Sequence, residues 1–337
     1  MEKGSVAICF VQHAVRRARQ QRLDVDLLLQ RAGIAPQLLA LPHARVPAAS
    51  YSALWRVLTQ AQDDEFFGQD ARRMKPGSFA LVCRSALTCK TLGPALQRAA
   101  HIFGLLLDDL AVSVETGADV ALLQLQPRAG VEVRVFAHET MLMLLHGLAC
   151  WLIGRRIPVQ SASFAYPEPP YSDEYRSMYS TRLCFEQAFT TLRFDAAYLA
   201  RPVVQTEAGA REFLLGTPAN VILKYKNGNS LAARIRRRLR TLPACQWPEF
   251  DVLAAELRVS GATLRRRLQQ DGQSYQAIRD QLRRDLAVDA LLHSSHSVTQ
   301  IALELGFAEP SAFYRAFKKW TRVRPAEYRR LRLPPSA

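Results

Sequence analysis

The chain has 337 residues, 49% of them apolar, and a formal charge of +15. That length predicts two domains, or three, with ample apolar residues for their cores, and no low-complexity block argues for disorder. The charge is uneven: residues 231–333 hold about 20 Lys and Arg against about 10 Asp and Glu, as expected of a nucleic-acid-binding segment and not of an evenly solvated basic surface.

The six cysteines (Cys9, Cys83, Cys89, Cys150, Cys184, Cys245) have neither a CxxC pair nor a Cys/His cluster. They are expected to be buried reduced thiols, with no metal site, no cofactor and no disulfide framework. Residues 1–20 lack a signal arrangement. The longest apolar run, Thr140–Gly154, is broken by His146 and is shorter than the ~20 residues of a membrane span. It predicts a buried helix in a cytoplasmic protein with no membrane partner.

In chain order, residues 5–40 predict a small helical entry with a short helix at Asp26–Ala32 and a turn at Gly33–Pro36. A helix follows over Ser50–Gln62, with Ser50 as N-cap. Phe79–Thr88 and Pro94–Leu107 predict two more, Pro94 sitting in a first turn where its missing N–H is harmless. Leu110–Thr116, Asp119–Gln126 and Val131–Phe136 are β-branched and partly alternating, so they predict successive antiparallel strands. The buried helix 138–154 precedes a strand at Gln160–Tyr166, a break at Pro167–Pro170, a short helix at Asp173–Tyr179, and strands at Leu183–Phe185 and Thr190–Phe194. Thr206–Leu215 predicts a connecting helix, and Lys224–Ser230 has linker composition. Ser230 is placed to cap a helix over Leu231–Leu242.

One pattern then occurs twice. Leu253–Leu257, a turn at Val259-Ser260 and Thr263–Leu268 form the first copy; Ile301–Leu305, a turn through Gly306–Pro310 and Ser311–Phe317 form the second. Each predicts a short helix, a tight turn and a second helix opened by a capping hydroxyl, which is a helix-turn-helix. Between them, apolar residues at 275, 278, 282, 286, 290 and 291 predict one amphipathic helix over Tyr275–Ser294. Twenty helical residues span about 30 Å, close to the ~34 Å between successive major-groove faces. The geometry implies a DNA reader with two heads on one rod.

The residues from about Ser230 to Arg330 resemble the DNA-binding domain of the AraC/XylS family of bacterial transcription regulators. The most specific part is Ile301-Ala-x-Glu-x-Gly306-Phe307, Ser311-Ala-Phe313-x-Arg315-Ala-Phe317-Lys318-x-Trp320 and Pro325-x-x-Tyr328-Arg329. Two residues depart from the pattern where a turn glycine is usual, Arg258 and Arg322. A left-handed backbone there costs a non-glycine residue about 1 kcal/mol. Leu28 to about Leu125 and Phe164-x-Tyr-Pro…Tyr175…Phe185…Leu192-x-Phe194…Leu199…Pro202 are similar, more loosely, to the arabinose-binding-like effector domain of one branch of that family; these are mostly structural positions and carry no sugar specificity. The resemblance implies an α+β effector-binding and dimerisation domain over 1–215 and a linker over 216–229. An all-α domain over 230–333 would follow, with two helix-turn-helix motifs joined by a long helix.

With Leu264 and Leu268 facing inward, Ala262, Arg265 and Arg266 point outward for base readout; with Phe313 and Phe317 inward, Pro310, Ser311, Tyr314 and Arg315 do so in the second copy. Arg267, Lys318 and Lys319 are assigned to phosphates or the surface. Glu256 and Glu304 are expected to brace helices, since a carboxylate repels phosphate. The arginines over 234–240 form either a solvated face or a phosphate contact. Promoter DNA and a small-molecule effector are the implied partners, with RNA polymerase and a second copy of the chain as further candidates. His101, His138, His146, Trp151, Met141 and Met143 are more often core than ligand contacts. A cavity between strands 110–136 and helix 138–154 is the first guess for the effector pocket, whose residues stay unassigned. No catalytic fingerprint occurs. A DNA-repair enzyme with a borrowed DNA-binding domain and a non-specific packaging protein are the competing readings.

Overall fold

The computed structural model describes residues 4–217, 221, 231–270 and 273–331. Apart from residues 216, 217 and 221, the expected linker and the Ser230 cap lie outside them, as do residues 332 and 333. The chain forms two compact units, one spanning 10–31 and 52–225, the other 1–9, 32–51 and 226–337. The opening residues and 32–51, near the effector region in chain order, therefore pack in the unit that contains the helix-turn-helix motifs.

The unit of 10–31 and 52–225 is α+β. Its sheet has five strands: β3 (Leu110–Thr116), β4 (Val120–Pro127), β5 (Ser161–Ser163), β6 (Leu183–Cys184) and β7 (Thr190–Asp195), in the order β3-β4-β7-β5-β6. All neighbours are antiparallel except β5 with β6. Ala121, Leu123 and Leu125 of β4 are buried opposite Phe194, Leu192 and Thr190 of β7, the alternation expected of a sheet with one packed face. The unit's helices are α2 (Val25–Arg31), α4 (Ser78–Leu87), α5 (Leu92–Leu106), α6 (Val135–Leu152), α7 (Asp173–Met178) and α8 (Glu207–Leu215), of which α5 packs on β3 and α6 on β4. The helices α1 (Ile8–Gln20) and α3 (Ala48–Gln62) lie mainly in this unit.

Three expectations need correction here. Val131–Phe136 is not a strand: both edges of β4 are already taken, by β3 and by the distant β7, and α6 begins at Val135. Helix α3 starts at Ala48, so Ser50 stands inside its first turn and does not cap it. Cys184 and Cys245 are exposed, while the other four cysteines are buried; all six are free. Helix α6 has the length and composition of a membrane span, but 83% of it is buried within the protein.

In the second unit, β1 (Ser5–Ala7) pairs antiparallel with β2 (Arg45–Pro47). The remaining elements are α9 (Leu231–Arg240), α10 (Phe250–Glu256), α11 (Gly261–Gln270), α12 (Tyr275–His293), α13 (Val298–Glu304), α14 (Pro310–Thr321) and α15 (Pro325–Arg329). Both β1 and β2 pack on α12. The backbone N–H of Arg45 donates to the Tyr328 hydroxyl at 2.9 Å, and that hydroxyl donates to the Arg45 carbonyl. The Ser5 hydroxyl donates to Asp285 of α12 at 2.6 Å and accepts from the Arg45 guanidinium at 2.8 Å.

Candidate nucleic-acid interface

The long middle helix forms as expected. Its N-terminus is capped by Ser274, whose side chain accepts from the N–H of Ala277. Its buried face, however, turns along its length. Tyr275, Ile278 and Leu282 join Ile235, Leu239, Trp247, Leu253, Leu264 and Leu268 in one core, whereas Ala287, Val288, Leu291 and Leu292 are buried in the second half. One helix thus belongs to both motifs. Arg283 reinforces the joint: its guanidinium lies 5.6 Å from the Trp247 ring centre and 5.2 Å from that of Phe307, and its Nε donates to the Leu305 carbonyl at 3.0 Å. Burial lowers the pKa of Arg283 from its ordinary value, with the neighbouring Arg279 charge adding to the effect.

The two turns share one backbone design. In the first copy, Val259 N–H bonds to the Ala254 carbonyl and Arg258 N–H to that of Ala255; in the second, Phe307 bonds to Ala302 and Gly306 to Leu303. This double bond pattern closes a helix through a left-handed residue. That residue is Arg258, with φ +55°, in one copy and Gly306, with φ +74°, in the other. Arg322, after α14, is left-handed as well, at +58°. A Cβ on Gly306 would come within 2.9 Å of the Ala244 carbonyl oxygen and of Cys245 Cα. The second turn is therefore pressed against the first motif's entry segment by backbone that has no room to give.

The recognition helices are anchored as the spacing required. Leu264, Leu268, Phe313 and Phe317 are fully or almost fully buried. Ala262, Arg265, Arg266 and Arg267 on α11 are exposed, as are Ser311, Tyr314, Arg315, Lys318 and Lys319 on α14, and Pro310 is partly so. Arg265 is not loose: its guanidinium sits 5.5 Å from the centre of the Phe250 ring. The Ser260 hydroxyl accepts from Thr263 N–H and opens α11. The second copy differs from expectation, because Pro310 supplies the first helical residue and its fixed φ starts the helix without a capping hydroxyl. Ser311 lies inside the first turn and donates to Glu309 at 3.1 Å.

Glu256 pairs with Arg238 at 3.2 Å and Glu304 with His296 at 2.7 Å. Each carboxylate is thus engaged by a basic side chain within the protein. In α9, Arg236 donates to Gln273 at 2.9 Å and to Gln281 at 3.2 Å, so this arginine group is partly occupied within the protein. By contrast, Arg266, Arg267, Arg315, Lys318 and Lys319 make no side-chain hydrogen bond or ion pair among the described residues.

The comparisons with known proteins agree with this architecture. Residues 23–203 match the arabinose-binding domain of AraC transcription regulators, and residues 253–331 match a helix-turn-helix domain. The chain belongs to the AraC family of transcription regulators. An ornithine utilization regulator of Pseudomonas aeruginosa is 28% identical over 96% of both chains. An uncharacterized HTH-type transcriptional regulator of Mycobacterium tuberculosis is 27% identical over 93% of both. Among solved structures, the transcriptional regulator CdpR from Pseudomonas aeruginosa covers 95% of this chain and 97% of its own, at 18% identity and a TM-score of 0.30, a likeness too slight to inform the geometry. As an AraC-family member the protein is a DNA-binding transcription regulator, and nothing among these relatives points to DNA repair.

In the effector-domain unit, most of the residues singled out from sequence are buried or half-buried. His138 is buried, with Nδ1 2.8 Å from the Thr190 hydroxyl, and burial pulls its pKa down to about 4, leaving a neutral ring. The His146 Nε2 lies 3.0 Å from the Ile157 carbonyl oxygen, and Trp151 stacks on Phe213 at 4.6 Å. Met141 is buried and His101 exposed. Sequence reading passed over Glu139, the one charged residue among 135–152; an isolated carboxylate in an apolar helix was the available signal.

Proposed function

We propose that this AraC-family member is a one-component, ligand-responsive regulator with no catalytic activity, acting in the cytoplasm on promoter DNA. In this reading α11 and α14 enter adjacent major grooves. Ala262, Arg265, Arg266, Pro310, Ser311, Tyr314 and Arg315 read base edges, and Arg267, Lys318 and Lys319 neutralise phosphates. The observation that carries it is the pair of exposed arginines, Arg266 and Arg315, without internal partners on equivalent helices that share α12. Arginine so presented suits bidentate contact to guanine, and the surrounding basic residues make affinity salt-dependent. Arg265, resting on Phe250, is held ready beside Arg266. RNA polymerase and a second copy of the chain are the partners this reading adds at the promoter.

Effector control follows from linkage: a ligand that binds one arrangement of the protein better than another shifts the population able to span the operator. One relative is named for ornithine utilization, which makes basic amino acids and amines the first compounds to try. Footprinting on the upstream regions of neighbouring genes tests the reading. A discrete protected site of about 20 base pairs, two turns of duplex, supports it; uniform protection would leave a non-specific packaging protein.

A further inference from the structure

The unexplained feature of the effector-domain unit is Glu139. Its side chain is 2% exposed, deep in a helix whose other residues carry no Asp, Glu, Lys or Arg. Oε1 accepts a hydrogen bond from the Tyr175 hydroxyl, which lies 3.1 Å from the hydroxyl of Tyr166. The Tyr179 hydroxyl turns to the backbone carbonyl of Glu139 instead, at 3.3 Å. Oε2 has no hydrogen-bond partner among the described residues. The one basic nitrogen within ion-pair range of it there is His13 Nδ1, at 3.8 Å, too far for a hydrogen bond. That same Nδ1 lies 3.4 Å from the Tyr171 hydroxyl, so Glu139 is not its only polar neighbour.

A buried carboxylate oxygen without a donor is strongly disfavoured unless something else meets it. The surrounding phenols cannot supply a positive charge. Burial first, and the Glu139 charge second, hold Tyr166, Tyr175 and Tyr179 above the ordinary tyrosine range, so they stay neutral. What they do supply is aromatic surface: Tyr171 packs edge-on to His13 at 5.1 Å and to Tyr175 at 5.9 Å. Aromatic faces next to a carboxylate are a recognised setting for an organic cation. His13 is 26% exposed, so the basic side chain within range of the open oxygen is also one that solvent reaches.

We propose that Glu139 and the tyrosines around it form the effector site, and that it takes a small organic cation. The cationic head displaces the His13 imidazole and meets Glu139 Oε2, while its carbon chain lies against Tyr171 and Tyr175. This deepens the effector-controlled reading above and rests on it.

The test is thermal unfolding and titration calorimetry of the full chain with three cationic probes, each beside an analogue lacking the charged head. The pairs are ornithine with norvaline, putrescine with 1,4-butanediol, and choline with 3,3-dimethylbutan-1-ol. At least one cation should raise Tm where its analogue does not. Glu139→Gln, which keeps the shape and removes the charge, should weaken that binding by roughly tenfold or more. Should Glu139→Gln fail to fold, Tyr171→Ala takes its place with the same expected loss. Binding by none of the cations, equal binding of an analogue, or binding unchanged in the folded variant overturns the proposal. Footprinting on wild type without probe separates the two ideas. A chain that protects its promoter but binds no cation loses this site and remains a regulator; one that binds the cation with no change in promoter affinity keeps the site and loses its role as input.

Discussion

The two helix-turn-helix copies reach one backbone solution by different side chains. Both close their first helix through the same pair of hydrogen bonds and a left-handed residue. The first copy places Arg258 there, in the open, and packs a leucine core around Leu253, Leu264 and Leu268. The second places Gly306, presses it against the backbone of Ala244 and Cys245, and builds its core from Phe313, Phe317 and Tyr328. It also carries a capping box in which Ser297 and Gln300 satisfy each other's backbone. The left-handed φ alone admits an arginine at modest cost; the close approach does not. Glycine is thus required in one copy for space and would merely be convenient in the other.

The largest effect expected from this contrast is at Gly306. Gly306→Val adds a left-handed penalty to a clash with immovable backbone, and should destabilise the protein by about 3 kcal/mol, read as a lower denaturation midpoint with unchanged m-value. A loss below about 1 kcal/mol would mean the turn is as open as that of Arg258. Next comes Tyr328→Phe, which deletes both hydrogen bonds between the buried hydroxyl and the Arg45 backbone. A loss of about 2 kcal/mol is expected, and Arg45→Ala should cost far less of this particular bond pair, because the groups involved are main-chain atoms.

Comparable in size, but seen in DNA binding and not in folding, are Arg266→Ala and Arg315→Ala. Each should cost about 1–3 kcal/mol and relax preference at one base position, the two positions lying about one helical turn apart. If only one relaxes specificity, the copies are unequal readers; if both weaken all sequences alike, both arginines are phosphate clamps. Lys318→Ala should weaken every sequence to a similar, smaller extent and lower the salt slope by about one. The smallest effect is at Arg258, where Arg258→Gly should stabilise by about 0.5 kcal/mol, the relief of strain exceeding the added chain entropy. A destabilised Arg258→Gly variant would show that the arginine side chain holds the turn.

Much of the C-terminal unit was legible beforehand because its contacts are local. Helical period, caps and turns act over a few residues, so the spacing of Leu264 and Leu268, or Phe313 and Phe317, was enough to say which arginines face outward. The strand proposed at Val131–Phe136 failed for the opposite reason. Its residues have strand-like composition, but β4 had already paired with β7, some 65 residues later, and no local pattern announces such a partner.

The sequence by itself determined two repeated motifs and the long helix between them, since each depends on neighbours within about two turns of chain, while the left-handed positions at Arg258 and Arg322 were implied by the family resemblance. Only the tertiary structure decided that residues 5–7 and 45–47 join the helix-turn-helix unit, that Arg283 ties Trp247 to Phe307, and that Glu139 keeps one oxygen unmet among tyrosines. Those arrangements rest on burial and on hydrogen bonds between residues up to 283 positions apart, and proximity of that kind comes into being only once the chain has folded.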